Sequence, residues 1–142
     1  MLVHKHLIIR AECMDPPTCP NYVEQWLKNM VELIGMKICK GPISAYVDVE
    51  GNEGATGVVI IETSHIAIHV WDRQSPALVH LDVYTCGDFE PRKIFNALKE
   101  FDVQKLEYKY LDREHGLTEI PIYASNDETF MDNLEARTGN IQ

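Results

Sequence analysis

The chain has 142 residues, 45% of them hydrophobic, and sets 13 Lys and Arg against 22 Asp and Glu for a formal net charge of −9. That length suits one domain with a real core, and the charge repels phosphates, so neither nucleic acid nor an anionic membrane surface is an expected partner. Apolar runs fall far below the roughly 18 residues of a spanning helix and no signal peptide is visible, so the expected location is cytoplasmic. Cys13, Cys19, Cys39 and Cys86 form no CxxC pair and read as reduced thiols.

Residues 3–12 alternate, with His4, His6, Ile8 and Arg10 facing away from Val3, Lys5, Leu7, Ile9 and Ala11, which predicts a strand. The proline-rich turn at residues 15–20 opens a helix, with Thr18 as its expected cap. Val23, Trp26, Leu27, Met30, Val31 and Ile34 then make one apolar stripe that stops at Gly35. Residues 37–49 show a strand pattern broken at Gly41-Pro42, and residues 50–55 form an acidic, glycine-containing loop. Three strands follow, at residues 56–62, 64–71 and 77–86. In the second, Ile66, Ile68 and Val70 oppose His65, Ala67, His69 and Trp71; in the third, Val79, Leu81 and Val83 oppose His80, Asp82, Tyr84 and Cys86. Each therefore has a greasy face and a chemical face, and histidines and aromatics on the latter predict cover by another layer. Gly87-Asp88 caps a second helix over residues 89–101, and a last strand spans 103–111. Residues 112–142 form a polar tail, with a short helix expected over 128–137, and are expected either to be partly mobile or to reach a partner subunit.

The order of strand, helix, three or more strands, helix and strand predicts an α+β fold: a two-layer sandwich of an antiparallel sheet with both helices on one face, in a single domain at residues 1–111. The other sheet face lacks helices to cover it. A second copy meeting it through a two-fold axis would give a homodimer stacked in four αββα layers.

Thr63, Ser64, His65, His69, His80, Asp82 and Cys86 make the one dense cluster of reactive side chains. The run Ser64-His65-x-x-Ile68-His69 followed by Asp82-x-x-Thr85-Cys86-Gly87 resembles the short prokaryotic S-adenosylmethionine decarboxylases, which make their own pyruvoyl cofactor. The resemblance extends more loosely from His6 to about Leu111. It implies that Ser64 is the cofactor precursor, that His69 and Thr56 assist processing, and that Cys86 is the proton donor in decarboxylation. It also implies that Trp71 stacks on the nucleoside and Asp72 bonds its ribose, with Tyr46 a further aromatic and His65 next to the new ketone. The substrate would be S-adenosylmethionine, the product a donor of aminopropyl groups for spermidine synthesis, and the active sites would lie at a dimer seam.

Such chemistry needs these residue types. Ser64 Oγ attacks the Thr63 carbonyl to turn the peptide into an ester, which requires an unusually oriented peptide and a proton carrier. Elimination and hydrolysis then leave the pyruvoyl ketone, which condenses with a substrate amine as a Schiff base and draws electrons from the breaking bond to the carboxylate. A neutral thiol can protonate the resulting carbon.

Thr63 stands where the family has glutamate, moving Glu62 back by one residue, and Thr56 stands where it has a serine. Two alternatives stay open: an unprocessed, non-catalytic homologue that keeps the dimer and a ligand pocket, and a pyruvoyl decarboxylase of arginine or ornithine, whose cationic side chain suits the acidic loop. A metal centre is not expected. His65 and His69 are four residues apart on one strand, roughly 13 Å at 3.3 Å per residue, too far to share a zinc ion.

Overall fold

The computed structural model describes residues 2–122. Strand β1 (Lys5–Cys13) leads into helix α1 (Pro20–Leu33), and strands β2 (Ile38–Val47), β3 (Gly54–Ile61), β4 (Ser64–Trp71) and β5 (Ala77–Thr85) follow. Helix α2 (Pro91–Ala97) continues into a 3-10 turn (Leu98–Phe101), and β6 (Val103–Asp112) and β7 (Thr118–Glu119) close the described chain. The seven strands form one sheet in the order β2-β3-β4-β5-β1-β6-β7, antiparallel at each pairing. Chain order is broken at one place, where β1 is inserted between β5 and β6.

Both helices lie on one face of this sheet, giving the expected α+β sandwich. Leu7, Ile9, Val59, Ile61, Ile66, Ile68, Val79, Leu81, Val83, Leu106 and Tyr110 point from the strands into a core with Val23, Trp26, Leu27, Met30, Phe95, Leu98 and Phe101. The Trp26 and Phe101 rings meet at 5.3 Å and those of Phe95 and Tyr108 at 5.2 Å, within the range of favourable tilted aromatic pairs. Helix α1 rides close over β3 because Gly57 has no side chain: a Cβ there would lie 2.6 Å from Val23 Cγ1 and 3.1 Å from Leu27 Cδ1.

Local details depart from the sequence pattern where backbone chemistry intervenes. Cys19, not Thr18, occupies the cap position of α1, and no side chain caps it; Pro20 opens the helix, where its missing N–H costs nothing. Glu90 rather than Asp88 caps α2, its carboxylate accepting from the Arg92 N–H at 3.1 Å. The stripe over 89–101 is a shorter helix finished by a tighter turn. Residues 37–49 hold one ten-residue strand, β2, whose register slips between Ile38 and Lys40 and again between Lys40 and Ile43 instead of breaking. In β6 a register shift opposite Glu12 and Cys13 turns Val103 inward, 2% exposed, on the side that Leu106 and Tyr110 share.

The second face of the sheet carries His6, Ile8 and Arg10 from β1, His65, Ala67, His69 and Trp71 from β4, and His80, Asp82 and Tyr84 from β5. Among the described residues no helix lies over it, and Ile8 and Ile60 remain 40% and 49% exposed. No helix among them is long and apolar enough to cross a membrane. Past β6 the chain turns back: β7 pairs with it and Ile122 enters the core. The helix expected over residues 128–137 lies outside the described residues.

Candidate active site

The β3–β4 hairpin turns on two residues, Glu62 and Thr63, so that Ile61 pairs with Ser64 and Ser64 in turn pairs with Thr85 on β5. Ser64 has a φ of 148°, a region that a side chain disfavours and that costs of the order of 1–3 kcal/mol. The strain therefore falls on the residue that would attack the peptide before it. The carbonyl of that peptide is held from the other side: the Cys86 N–H donates to the Thr63 oxygen at 2.7 Å. Cys86 is itself anchored, its own carbonyl accepting from the Val3 N–H at 3.0 Å, and buried Thr85 braces the next turn by accepting from the Gly87 N–H at 2.9 Å. The Thr63 hydroxyl is turned away to the Met36 sulfur at 3.2 Å. Ser64 and Cys86 thus sit together at one end of the sheet, with a polarised carbonyl between their backbones.

Beside them, on the uncovered face, Asp82 Oδ1 accepts from His6 Nε2 at 2.8 Å and from His65 Nε2 at 3.2 Å. Tyr84 lies next in the strand, its ring 5.5 Å from that of His6 and 5.8 Å from that of His65, its hydroxyl 3.1 Å from His4 Nδ1, and the Arg113 guanidinium 4.1 Å above its centre. Burial pushes the Asp82 carboxyl up, but the hydrogen bonds and charges of His6 and His65 outweigh it and hold the group below its ordinary value. Sequence alternation put Asp82 and Tyr84 on the chemical face without assigning them a role. What it lacked was the strand order: only the insertion of β1 beside β5 puts His6 against Asp82.

A second group lies at the opposite end of β4. Thr56 pairs with His69 across β3 and β4, and its Oγ1 is 2.5 Å from His69 Nδ1. The Tyr46 hydroxyl donates to Asp72 Oδ1 at 3.0 Å, fixing a carboxylate whose side chain is 9% exposed. Trp71 donates from Nε1 to Asn52 at 2.7 Å and stands edge-on to His80 at 4.8 Å. His69 is five residues from Ser64 on one strand, about 16 Å at 3.3 Å per residue.

The structure therefore gathers the residues singled out from sequence into two sets: Ser64, His65 and Cys86 at one end, and Tyr46, Thr56, His69, Trp71 and Asp72 at the other. Within one chain it does not bring Ser64 to His69. Between the sets a concavity of about 520 Å³ is lined by Ile8, Arg10, His65, Ala67, His69, His80 and Asp82. For a metal ion, Asp112, Glu114 and His115 offer ligand atoms within 4.8 Å of one another, but they belong to neither set. The donors at Ser64 suit a group made from the chain itself: a hydroxyl on a strained backbone, a carbonyl already held by an N–H, and an adjoining thiol.

Fold and site together define an α+β sandwich with a serine of strained backbone at a hairpin end. The family model described as S-adenosylmethionine decarboxylase matches residues 5–114, and the chain belongs to that family. It is 44% identical over 69 residues to the S-adenosylmethionine decarboxylase proenzyme of Aquifex aeolicus, covering 46% of this chain and 47% of that one. It is 32% identical over 115 residues to the proenzyme of Archaeoglobus fulgidus, covering 80% and 99%. The crystal structure of the adenosylmethionine decarboxylase of Aquifex aeolicus superimposes with a TM-score of 0.59 at 25% identity, over 88% of this chain and 98% of that one. The match to the Aquifex proenzyme, and those to the proenzymes of Sulfurihydrogenibium and Hydrogenobaculum, span a little under half the length of those proteins.

Proposed function

We propose that the chain is a self-processing decarboxylase: it cleaves between Thr63 and Ser64, converts Ser64 to a pyruvoyl group, and decarboxylates S-adenosylmethionine to supply aminopropyl groups for polyamine synthesis. The observation that carries this reading is the strained φ of Ser64 next to a Thr63 carbonyl that accepts from the Cys86 N–H. Strain raises the energy of the uncleaved peptide, and an N–H aimed at the carbonyl favours the charge that grows on its oxygen during attack.

The pyruvoyl group supplies a ketone that takes a substrate amine and draws electrons from the bond to the carboxylate. The chain's own residues do the rest. Cys86 protonates the carbon left after carbon dioxide departs. Trp71 offers a face for the adenine, and Asp72, held by Tyr46, accepts from the ribose hydroxyls. The acidic stretch with Asp48, Glu50 and Glu53 suits the sulfonium charge of the substrate.

His69 and Thr56 serve processing from a second copy of the chain. A two-fold axis through the open sheet face sets the Thr56–His69 end of one protomer against the Ser64–Cys86 end of its partner, and the same contact covers Ile8 and Ile60. In this αββα homodimer each site is built from both protomers. No metal takes part.

The direct test is release of labelled carbon dioxide from carboxyl-labelled S-adenosylmethionine by the purified full chain, with arginine and ornithine as controls. Release from S-adenosylmethionine alone is expected. Release from arginine or ornithine instead would move the assignment to another amino acid, and none from any of the three would favour the unprocessed homologue.

A further inference from the structure

We infer that Asp82 is a positioning residue which, with His6, fixes the tautomer of His65 and so leaves His65 Nδ1 as a proton acceptor beside residue 64. The proposal rests on the self-processing reading above and names a further role within that site. The hydrogen bonds carry it. Arg113 can only donate, and it approaches His6 Nδ1 at 3.5 Å, so that nitrogen accepts and the His6 proton sits on Nε2, which donates to Asp82 Oδ1 at 2.8 Å. The same oxygen lies 3.2 Å from His65 Nε2. A carboxylate oxygen already accepting from one histidine attracts a second N–H and repels a second lone pair, so His65 also carries its proton on Nε2. Among the described residues His65 Nδ1 has no hydrogen-bond partner, and the side chain is 41% exposed in the concavity of about 520 Å³. A carboxylate that orients a histidine and leaves its other ring nitrogen free is a recurrent acid–base device.

His65 follows directly on the residue that becomes the ketone. A substrate amine arrives as an ammonium and has no lone pair with which to bond a carbonyl carbon. Transfer of one proton breaks an N–H bond of the ammonium, forms Nδ1–H on His65 and frees the amine lone pair; His65 becomes an imidazolium facing Asp82. When the carbonyl oxygen departs, that proton goes with it in water, and His65 is neutral again. No oxidant or other reactant is needed.

The test uses the full chain with ¹⁵N-labelled histidine, as wild type, Asp82→Asn and Asp82→Glu. Ring nitrogen shifts are read above pH 7, and kcat/KM for S-adenosylmethionine is measured per cleaved chain. Wild-type His65 is expected to show a protonated Nε2 and a bare Nδ1, a signature that is read in cleaved and uncleaved protein alike. Asp82→Asn should mix the two tautomers and lower kcat/KM by about 10-fold to 100-fold, and Asp82→Glu should recover part of both. A wild-type proton on Nδ1 overturns the proposal, as does a folded Asp82→Asn variant that keeps both the tautomer and kcat/KM. If the wild type neither cleaves nor decarboxylates, the functional reading fails and the proton transfer falls with it, while the nitrogen shifts still decide whether Asp82 positions His65.

Discussion

The backbone N–H of Cys86 donates to the carbonyl oxygen of Thr63 at 2.7 Å, so the thiol and the bond that processing would break are held by one contact between β5 and the β3–β4 turn. Two substitutions separate the functions joined there. Ser64→Ala removes the attacking hydroxyl and should abolish both cleavage and turnover. Cys86→Ala keeps the backbone N–H and loses the thiol, so the chain should still cleave but release product at no more than about 1% of the wild-type rate. Gel mobility and a carbon dioxide assay on the same samples check both expectations.

Because Ser64 and His69 stand at opposite ends of β4, defects in the two should complement each other. Ser64→Ala and His69→Ala chains, each inactive alone, should regain about a quarter of wild-type activity when co-expressed, since half of randomly paired dimers carry one intact site of two. Co-expression without recovery would mean that each site is built within one chain.

Gly57 sets the approach of α1 to β3 and Gly54 that of β3 to the end of β4, and the two should respond differently to alanine. At Gly54, φ is +156° and a Cβ would lie 1.7 Å from the Val70 carbonyl oxygen, an obstacle of rigid backbone; at Gly57 the nearest atom is Val23 Cγ1 at 2.6 Å. Gly57→Ala should cost about 1–3 kcal/mol as side chains on α1 shift. Gly54→Ala should cost more and disturb the pairing of β3 with β4. Chemical denaturation of both variants measures the difference.

Acid should weaken the fold in two stages. Burial, then Arg10 and His69, lower the His80 pKa from its ordinary 6.5, so the unfolded chain takes up a proton there first and stability falls as pH drops below 6.5. Asp82 is also held below its ordinary 3.8; its contribution is complete above that pH and is lost as pH falls through the lower folded value. Melting temperature followed from pH 8 to pH 3 should therefore decline below 6.5 and again below 3.8. His80→Gln should flatten the first decline and leave the second.

Alternation along β1, β4 and β5 was enough to separate a core face from a chemical face, because a strand half buried in a sandwich has to repeat every two residues. The stripe from Val23 to Ile34 marked α1 for the same kind of reason. In β6 a register shift turns Val103 to the same side as Leu106 and Tyr110, an effect of pairing that no local pattern announces. Caps were misplaced because several polar residues near a helix start compete for one N–H, and only geometry selects Glu90 over Asp88. At the site, Ser64, His69 and Cys86 stood out by type and order, yet their division between two ends of the sheet depends on strand length. The His6–Asp82 contact depends on β1 entering beside β5, a long-range event that the sequence does not spell out.

The central claim is that this chain processes itself, and the intact mass of the purified protein under denaturing conditions, with and without hydroxylamine, tests it most directly. Without hydroxylamine the account predicts two fragments that meet between Thr63 and Ser64, the larger one blocked at its amino terminus by a ketone; hydroxylamine attack on the ester speeds cleavage at the same bond and leaves that fragment with a free amino-terminal serine instead. A single chain of 16.2 kDa, unchanged over days and indifferent to hydroxylamine, would contradict it.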